Sequence, residues 1–176
     1  MFSVQEAVIY GIDGVCKITD ITEKEVDGQR CKYYVLRPVY DSSATLYIPI
    51  YTERTIARMR PILSLEEVYF LIKAMPNEPT IWIGNDRERR EKYKEIIAKG
   101  NRVELVRLIK TLYLHQQLQQ GKGKKLNVAD NQVMKEAEKM LCDEFAYVLA
   151  IEREQAIPFV LNKLSLRATK GCELYN

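Results

Sequence analysis

Hydrophobic positions alternate with polar ones in short runs over the first sixty residues, and the runs are rich in Val, Ile and Tyr. GIDG separates the runs EAVIYG and GVCKITDIT, and the pair Asp27-Gly28 separates the next two. Because Asp-Gly favours a tight two-residue turn, this pair predicts a β-hairpin. TLYIPI forms a further run that includes Pro49. Since proline cannot donate to a sheet, this run predicts an edge strand.

The hydrophobic period changes from two to 3.6 near Pro61. SLEEVYFLIKAM begins with Ser64 and Glu67 at capping-box spacing, and four further amphipathic segments follow. The pattern predicts an α+β protein with a Tudor/SH3-like small β barrel followed by an all-helical domain of about five helices. We assign the barrel to residues 1–60, the helical domain to 61–165 and a loose tail to 166–176.

Composition narrows the class of protein. Hydrophobic residues make up 47% of the chain and charged residues 29%, which is typical of a globular domain. The sequence has no apolar run long enough for a membrane span and no signal-peptide pattern at its start, so we expect a cytoplasmic protein without membrane contact. Its four cysteines are scattered and form no C-x-x-C pair, which predicts neither a disulfide nor a zinc site.

The charged residues are unevenly distributed along the chain, which bears on the kind of partner. Residues 84–125 contain twelve Lys or Arg and five Asp or Glu, a net charge of +7, which leaves −4 for the rest of the chain. Such asymmetry favours an anionic partner for the middle of the protein. The alternative is that these helices are simply solvated, as Lys- and Glu-rich helices often are.

The sequence offers no set of residues for catalysis. His115, the only histidine, has no carboxylate or cysteine at metal-ligand spacing, and we interpret it as a packed or helix-surface residue. GKGKK lacks the spacing of a phosphate-binding loop. We therefore expect no enzymatic activity and no cofactor or metal. An enzyme with a β-barrel domain is kept as a rival interpretation, which would require a polar cleft with titrating groups.

The segment EPTIWIGNDRERREKYK places Trp82, the only tryptophan, directly before a strongly basic helix. Basic side chains neutralise phosphates, and a large apolar side chain can wedge at a base step in the minor groove. The candidate DNA-binding residues are Trp82, Arg87, Arg89, Arg90, Lys94, Lys122, Lys124 and Lys125. The alternative is that Ile81-Trp82-Ile83 is a hydrophobic staple packed against the basic helix.

Four features in a fixed order resemble the CarD family of bacterial transcription regulators over residues 2 to 164. They are VIYGIDGVCKI, LRPVYDSSATLYIPI, EPTIW before a basic helix, and an entirely helical C-terminal half. The N-terminal module is also similar to the RNA polymerase interaction domain of the transcription-repair coupling factor. The resemblance implies docking on the β subunit of RNA polymerase through a sheet edge. It also implies contact with promoter DNA at the upstream edge of the bubble, with little sequence specificity, which stabilises the open complex.

Carried over by position, the resemblance implies that Trp82 is the minor-groove wedge. It also implies that Leu46, Tyr47 and Ile48 form the polymerase-docking strand and that Lys24, in the preceding hairpin, helps this contact. Family members often carry a basic residue directly before the Ile-Pro pair, where this chain has Tyr47. We expect a monomer that is associated with the nucleoid through RNA polymerase. The alternative function is a polymerase-binding interaction module that does not bind DNA.

Overall fold

The computed structural model describes residues 1–26, 28–41 and 43–172, without the side chains of 54–56 and 164–172. Two compact units divide the chain, Met1–Ile62 and Leu63–Asn176. Asp27, on which the predicted hairpin turn depends in part, lies outside the described residues.

The first unit contains an antiparallel sheet of five strands. They are β1 (Ala7–Tyr10), β2 (Val15–Val26), β3 (Gln29–Pro38), β4 (Leu46–Pro49) and β5 (Met59–Pro61), with a short helix α1 (Glu53–Arg58) between β4 and β5. The strand order is β4-β3-β2-β1-β5, so β4 and β5 are the two edges. This confirms the edge position predicted for the strand that ends at Pro49.

In the part of the chain that the structure describes the sheet is open, and its five antiparallel strands are consistent with the predicted Tudor/SH3-like module. Closure would need β4 to pair with β5, and each of these short strands pairs with one neighbour only. The register of the long β2–β3 hairpin shifts between Ile18 and Asp20, an irregularity of the kind that bends a strand. The hairpin itself is confirmed by pairing from Cys16 with Pro38 to Val26 with Gln29. A small apolar core, which includes Ile18, Leu36 and Ile48, lies on one face of the sheet.

The second unit is helical, as predicted, with five α-helices in its described part. They are α2 (Leu65–Ala74), α3 (Asp86–Lys99), α4 (Arg102–Gln120), α5 (Val128–Leu149) and α6 (Arg153–Cys172). Ser64 and Glu67 form the predicted capping box of α2. The side chains of Asn85, Asn101 and Asn127 accept hydrogen bonds from the first turns of α3, α4 and α5. These side-chain caps satisfy backbone donors and fix where each helix begins.

The core of this unit lies between α2, α3, α4 and α5. Tyr93, Leu105, Leu108, Leu112 and Phe145 are fully buried there. Each buried side chain of this size stabilises the fold by about 1.5–3 kcal/mol relative to an exposed one. Helix α4 is therefore a rigid support for the residues on its remaining faces.

The prediction of a loose tail from residue 166 needs correction, because α6 continues to Cys172. The run LRATK consists mainly of residues with good helix propensity, and no Gly or Pro interrupts it before Gly171. Residues 173–176 lie outside the described part of the chain.

Candidate nucleic-acid and polymerase interfaces

The segment before α3, residues 78–85, forms neither helix nor strand, yet α4 holds its first residue in place. Arg107 Nε donates to Glu78 Oε2 at 2.7 Å. Lys110 Nζ donates to the backbone oxygens of Pro76 and Glu78, at 2.6 and 2.7 Å. These bonds satisfy carbonyl groups that a non-helical segment cannot pair internally, so the entry to the segment is fixed.

A second set of bonds fixes the middle of the segment. The backbone N–H of Ile81 donates to Thr111 Oγ1 at 2.9 Å, and the Ile83 carbonyl accepts from Arg89 Nη1 at 3.0 Å. The Ile81 side chain packs against the helical core. The chain on both sides of Trp82 is therefore anchored to α4 and α3.

Arg89 is a structural residue. It is 4% exposed, and its Nε and Nη2 donate to the two oxygens of the buried Asp130 carboxylate at 3.2 and 3.0 Å. Nη2 also lies 2.8 Å from Asp86 Oδ1, while Nη1 bonds Ile83 O. A planar guanidinium suits such a bidentate pair, and all three of its nitrogens are occupied. The prediction that Arg89 contacts DNA is therefore corrected, because this side chain cannot reach a phosphate without breaking a buried ion pair.

Trp82 is 40% exposed and does not enter the core. Its indole stacks on the His115 imidazole, with ring centroids 3.6 Å apart and planes inclined by 17°. The guanidinium carbon of Arg89 lies over the same ring, 4.5 Å from its centroid. The alternative of a hydrophobic staple therefore fits Ile81, which packs inward, better than Trp82, whose ring stays partly exposed to solvent.

The sequence pattern did not identify His115 as a partner of Trp82. Arg107, Thr111, His115 and Gln119 follow one another at intervals of four on α4, and residues at this spacing share a helix face. The stripe can be recognised in the sequence, but its contact with the segment before α3 cannot.

Three exposed cations follow Trp82 on one face of α3, namely Arg87, Arg90 and Lys94. Arg87 Nε lies 3.3 Å from Glu91 Oε1, and Arg90 Nε donates to the Asp86 carbonyl at 3.1 Å. Both contacts are at the solvent-exposed surface, where an ion pair contributes little and a competing phosphate can replace it.

The lysine loop, residues 121–127, is the second group of cations. Lys122, Lys124 and Lys125 are exposed, and none of them forms an ion pair with a described residue. The loop joins the end of α4, where His115 stacks on Trp82, to the start of α5, where Asp130 binds Arg89. The lysine loop therefore joins the two helices that contact Trp82 and Arg89.

Several of the basic side chains in residues 84–125 form ion pairs or hydrogen bonds within the protein. Besides Arg89, Lys110 and Arg107, Arg102 forms an ion pair with the buried Glu144, with Nη2 2.6 Å from Oε1. The net charge of +7 that the sequence gives for residues 84–125 therefore overstates the charge available to a partner. The charge that remains accessible belongs mainly to α3 and the lysine loop.

The polymerase-docking residues predicted in the first unit lie on two strands, Lys24 on β2 and the other three on the two faces of β4. Tyr47 is 48% exposed, and Lys24 Nζ lies over its ring, 3.2 Å from the centroid. Ile48 is buried, and Leu46 packs against the same small core. Among the described strands β4 pairs only with β3. The backbone of Ile50 bonds Lys32 on β3, so Leu46 and Ile48, at the same alternation along β4, also direct their backbone groups to β3. Tyr47 therefore offers both its backbone groups and its side chain at the open edge, and Lys24 offers its side chain.

Two of the described cysteines, Cys16 and Cys142, do not resemble catalytic nucleophiles. Burial, together with nearby carboxylates, raises the pKa of the Cys16 and Cys142 thiols to about 12, so both are protonated at neutral pH. No cluster of three or more His, Cys, Asp or Glu that suits a metal ion occurs among the described residues. Within the same residues, no helix combines the length and apolarity needed to cross a membrane.

Two family models match this chain. The model of the CarD-like/TRCF RID domain matches residues 2–63, and the model of the CarD C-terminal domain matches residues 70–160. The chain belongs to the CarD family. The predicted membership is therefore confirmed, and the protein is a transcription regulator that interacts with RNA polymerase. A search of curated proteins gives no significant match.

The two CarD matches correspond to the two units of the structure. The first covers the whole five-stranded sheet with its edge strand β4, and the second contains Trp82, α3 and the lysine loop. Both groups of candidate interface residues thus lie within CarD domains.

Proposed function

We propose that this CarD-family protein binds the β subunit of RNA polymerase through β4 and holds promoter DNA through the Trp82 surface, stabilising the open complex. The Trp82 surface comprises Trp82, Arg87, Arg90, Lys94, Lys122, Lys124 and Lys125. One observation carries the proposal: a half-buried indole is held on an anchored segment, with exposed cations on α3 and the adjoining loop. The open-complex lifetime of a Trp82→Ala variant tests it.

The indole provides the preference for the opened promoter. Inserting an apolar side chain at a base step costs a few kcal/mol in lost stacking. At the edge of a bubble some of this stacking is already lost, so the same insertion costs less there. A ligand shifts an equilibrium only by its difference in affinity for the two states. Trp82 therefore stabilises the open form over the closed form.

The cations provide attraction without sequence reading. Arg87, Arg90 and Lys94 on α3, and the three lysines of the loop, face solvent and can neutralise phosphates. A patch of this size binds DNA weakly and in a salt-dependent way. Attachment to polymerase raises the local concentration of promoter DNA, which makes weak contacts effective.

The edge strand supports the polymerase contact. An open sheet edge can accept a strand from a partner, with backbone bonds for affinity and alternate side chains for specificity. Tyr47 stands where relatives often have a basic residue, and the Lys24 ammonium lies over its ring. The pair thus presents a positive charge at the position where the family resemblance expects one.

A polymerase-binding module without DNA contact is the second candidate function. It is favoured by the acidic neighbours of α3, since Arg87 pairs with Glu91, and Lys92 and Lys99 pair with Glu95. Such pairing is also the pattern of a merely solvated helix. The salt dependence of DNA binding distinguishes the two candidates.

Replacing Lys122, Lys124 and Lys125 together with glutamine is expected to weaken binding to forked DNA and to flatten its salt dependence. Each lost phosphate contact lowers the slope of log affinity against log salt by about 0.9 for duplex DNA. The measurement is the affinity of the isolated protein for a fluorescently labelled fork over a series of salt concentrations.

The matched control replaces Lys17, Lys73 and Lys135 with glutamine, which makes the same change in net charge at exposed positions outside the Trp82 surface. If both triple variants lose the same affinity, only the overall charge matters and the lysine loop has no special role. Absence of binding by the wild type even at low salt would favour the second candidate function.

Tyr47→Ala is expected to weaken binding to the polymerase β subunit about tenfold, as truncation of an interface aromatic commonly does. The fold should persist because the Tyr47 side chain points to solvent and the neighbouring Ile48 provides the core contact. A pull-down with the purified β lobe measures the effect. Tyr51→Ala, which removes a 69% exposed tyrosine just beyond β4, is the control. Equal retention of both variants would rule out the Tyr47 contact.

A further inference from the structure

The orientation of the Trp82 ring is not determined by its backbone. The bonds of Glu78, Ile81 and Ile83 fix the path of the chain, but the indole still rotates about two side-chain bonds. A wedge must present one edge of its ring to a base step. Some other group therefore has to set the plane of the indole.

His115 is placed to do this. Its imidazole is nearly parallel to the indole, at 3.6 Å and 17°, so rotation of the indole out of this plane breaks the stack. The imidazole comes from α4, whose Leu108 and Leu112 are fully buried, so its support is rigid. Gln119 Nε2 lies 3.1 Å from His115 Nε2, one turn further along, and this contact restricts the imidazole.

Arg89 contributes a second contact to the same ring. Its guanidinium carbon lies 4.5 Å from the indole centroid, and the guanidinium is itself locked by Asp130. A cation over an indole is favourable, the more so when it is partly desolvated. Two groups that are themselves held by other side chains therefore contact the indole, and 40% of Trp82 remains exposed.

We propose that His115 is a positioning residue, which stacks on Trp82 and holds the indole in the one orientation that inserts at the edge of the transcription bubble. The second part of the inference, insertion of the oriented indole into DNA, rests on the proposed function. Its first part, the fixed orientation in the free protein, is independent of that function. His115 acts through Trp82 and needs no contact with DNA.

The free protein tests the stack directly, because Trp82 is the only tryptophan and its fluorescence reports this site alone. In His115→Ala we expect a red-shifted emission and stronger acrylamide quenching. The quenching constant should rise at most about 2.5-fold, the ratio of full exposure to the present 40%. His115→Phe restores a flat ring and should keep quenching near the wild-type value.

The DNA step is tested with promoter complexes assembled from polymerase and each full-length variant. His115→Ala should shorten the open-complex lifetime roughly two- to tenfold, the range that corresponds to an aromatic pair. His115→Phe should recover most of the lifetime. Gln119→Ala, which frees the imidazole without removing it, should show a smaller loss and serves as the second variant if His115→Ala is poorly folded.

Tyr113→Ala is the matched control, because it removes a half-exposed aromatic side chain from the same helix. Its quenching and lifetime should equal those of the wild type. Unchanged quenching in folded His115→Ala, or equal loss of lifetime in the Ala and Phe variants, overturns the positioning role. If Trp82→Ala itself leaves the lifetime unchanged, the proposed function fails, and the quenching series still decides whether His115 orients the ring.

Discussion

Replacing Trp82 with alanine is expected to shorten the lifetime of the open complex about thirtyfold, while binding to the polymerase β subunit is unchanged. Truncation of a central aromatic contact typically costs about 2 kcal/mol or more, which corresponds to this factor. The loss falls on the open form because only the opened promoter offers a partly unstacked base step. The measurement is the decay of pre-formed promoter complexes after addition of a competitor, with the β-lobe pull-down as the second readout.

Phe70→Ala is the control for loss of an exposed aromatic side chain. Phe70 lies on α2 in the same unit and is 74% exposed, so it matches Trp82 in chemistry but lies outside the Trp82 surface. Its lifetime should equal that of the wild type. If Trp82→Ala is folded, as shown by its thermal transition, and its complexes decay at the wild-type rate, the wedge hypothesis is wrong.

Local patterns made much of the fold predictable. The Asp-Gly pair predicted the β2–β3 hairpin, and Ser64 with Glu67 predicted the start of α2, because each depends on residues a few positions apart. The change of hydrophobic period predicted a sheet unit followed by a helical one. Whether the edge strands β4 and β5 meet was not predictable in the same way, because no local pattern records a pairing between them.

The candidate site was only partly predictable, since it is made by contacts between distant residues. Arg87, Arg89 and Arg90 look alike in the sequence, but Asp130, forty-one positions after Arg89, selects Arg89 for burial. His115 likewise acquires its partner Trp82 only when α4 lies beside the segment before α3. The sequence shows how many charged and aromatic residues are present, whereas the fold determines which of them remain exposed.

At β4, too, the sequence predicts some features of the site and the fold determines the others. The resemblance indicated Leu46, Tyr47 and Ile48 as one docking strand, but the side chains of a strand alternate between two faces. Ile48 therefore belongs to the core and Tyr47 to the surface. Their alternation was predictable from the strand period, whereas the position of Lys24 over the Tyr47 ring depends on the β2–β3–β4 register.

Arg89→Ala is expected to lower the free energy of unfolding of the helical unit by about 3–5 kcal/mol, because it leaves the Asp130 carboxylate buried without its partner. The variant also loses the bond to the Ile83 carbonyl and the contact with the indole. Trp82 fluorescence should then change together with stability. Urea unfolding, followed by circular dichroism, measures the loss.

Arg87→Ala is the matched control, since it removes the same charge from the same helix at an exposed position. Its stability should change by less than about 0.5 kcal/mol, as is usual for surface substitutions. Its DNA affinity should fall modestly, with a lower salt slope. The double variant Arg89→Met, Asp130→Leu removes both buried charges and should recover most of the stability, because paired removal leaves no uncompensated charge. A stable Arg89→Ala protein whose only defect is weak DNA binding would contradict the structural role and return Arg89 to the phosphate contacts.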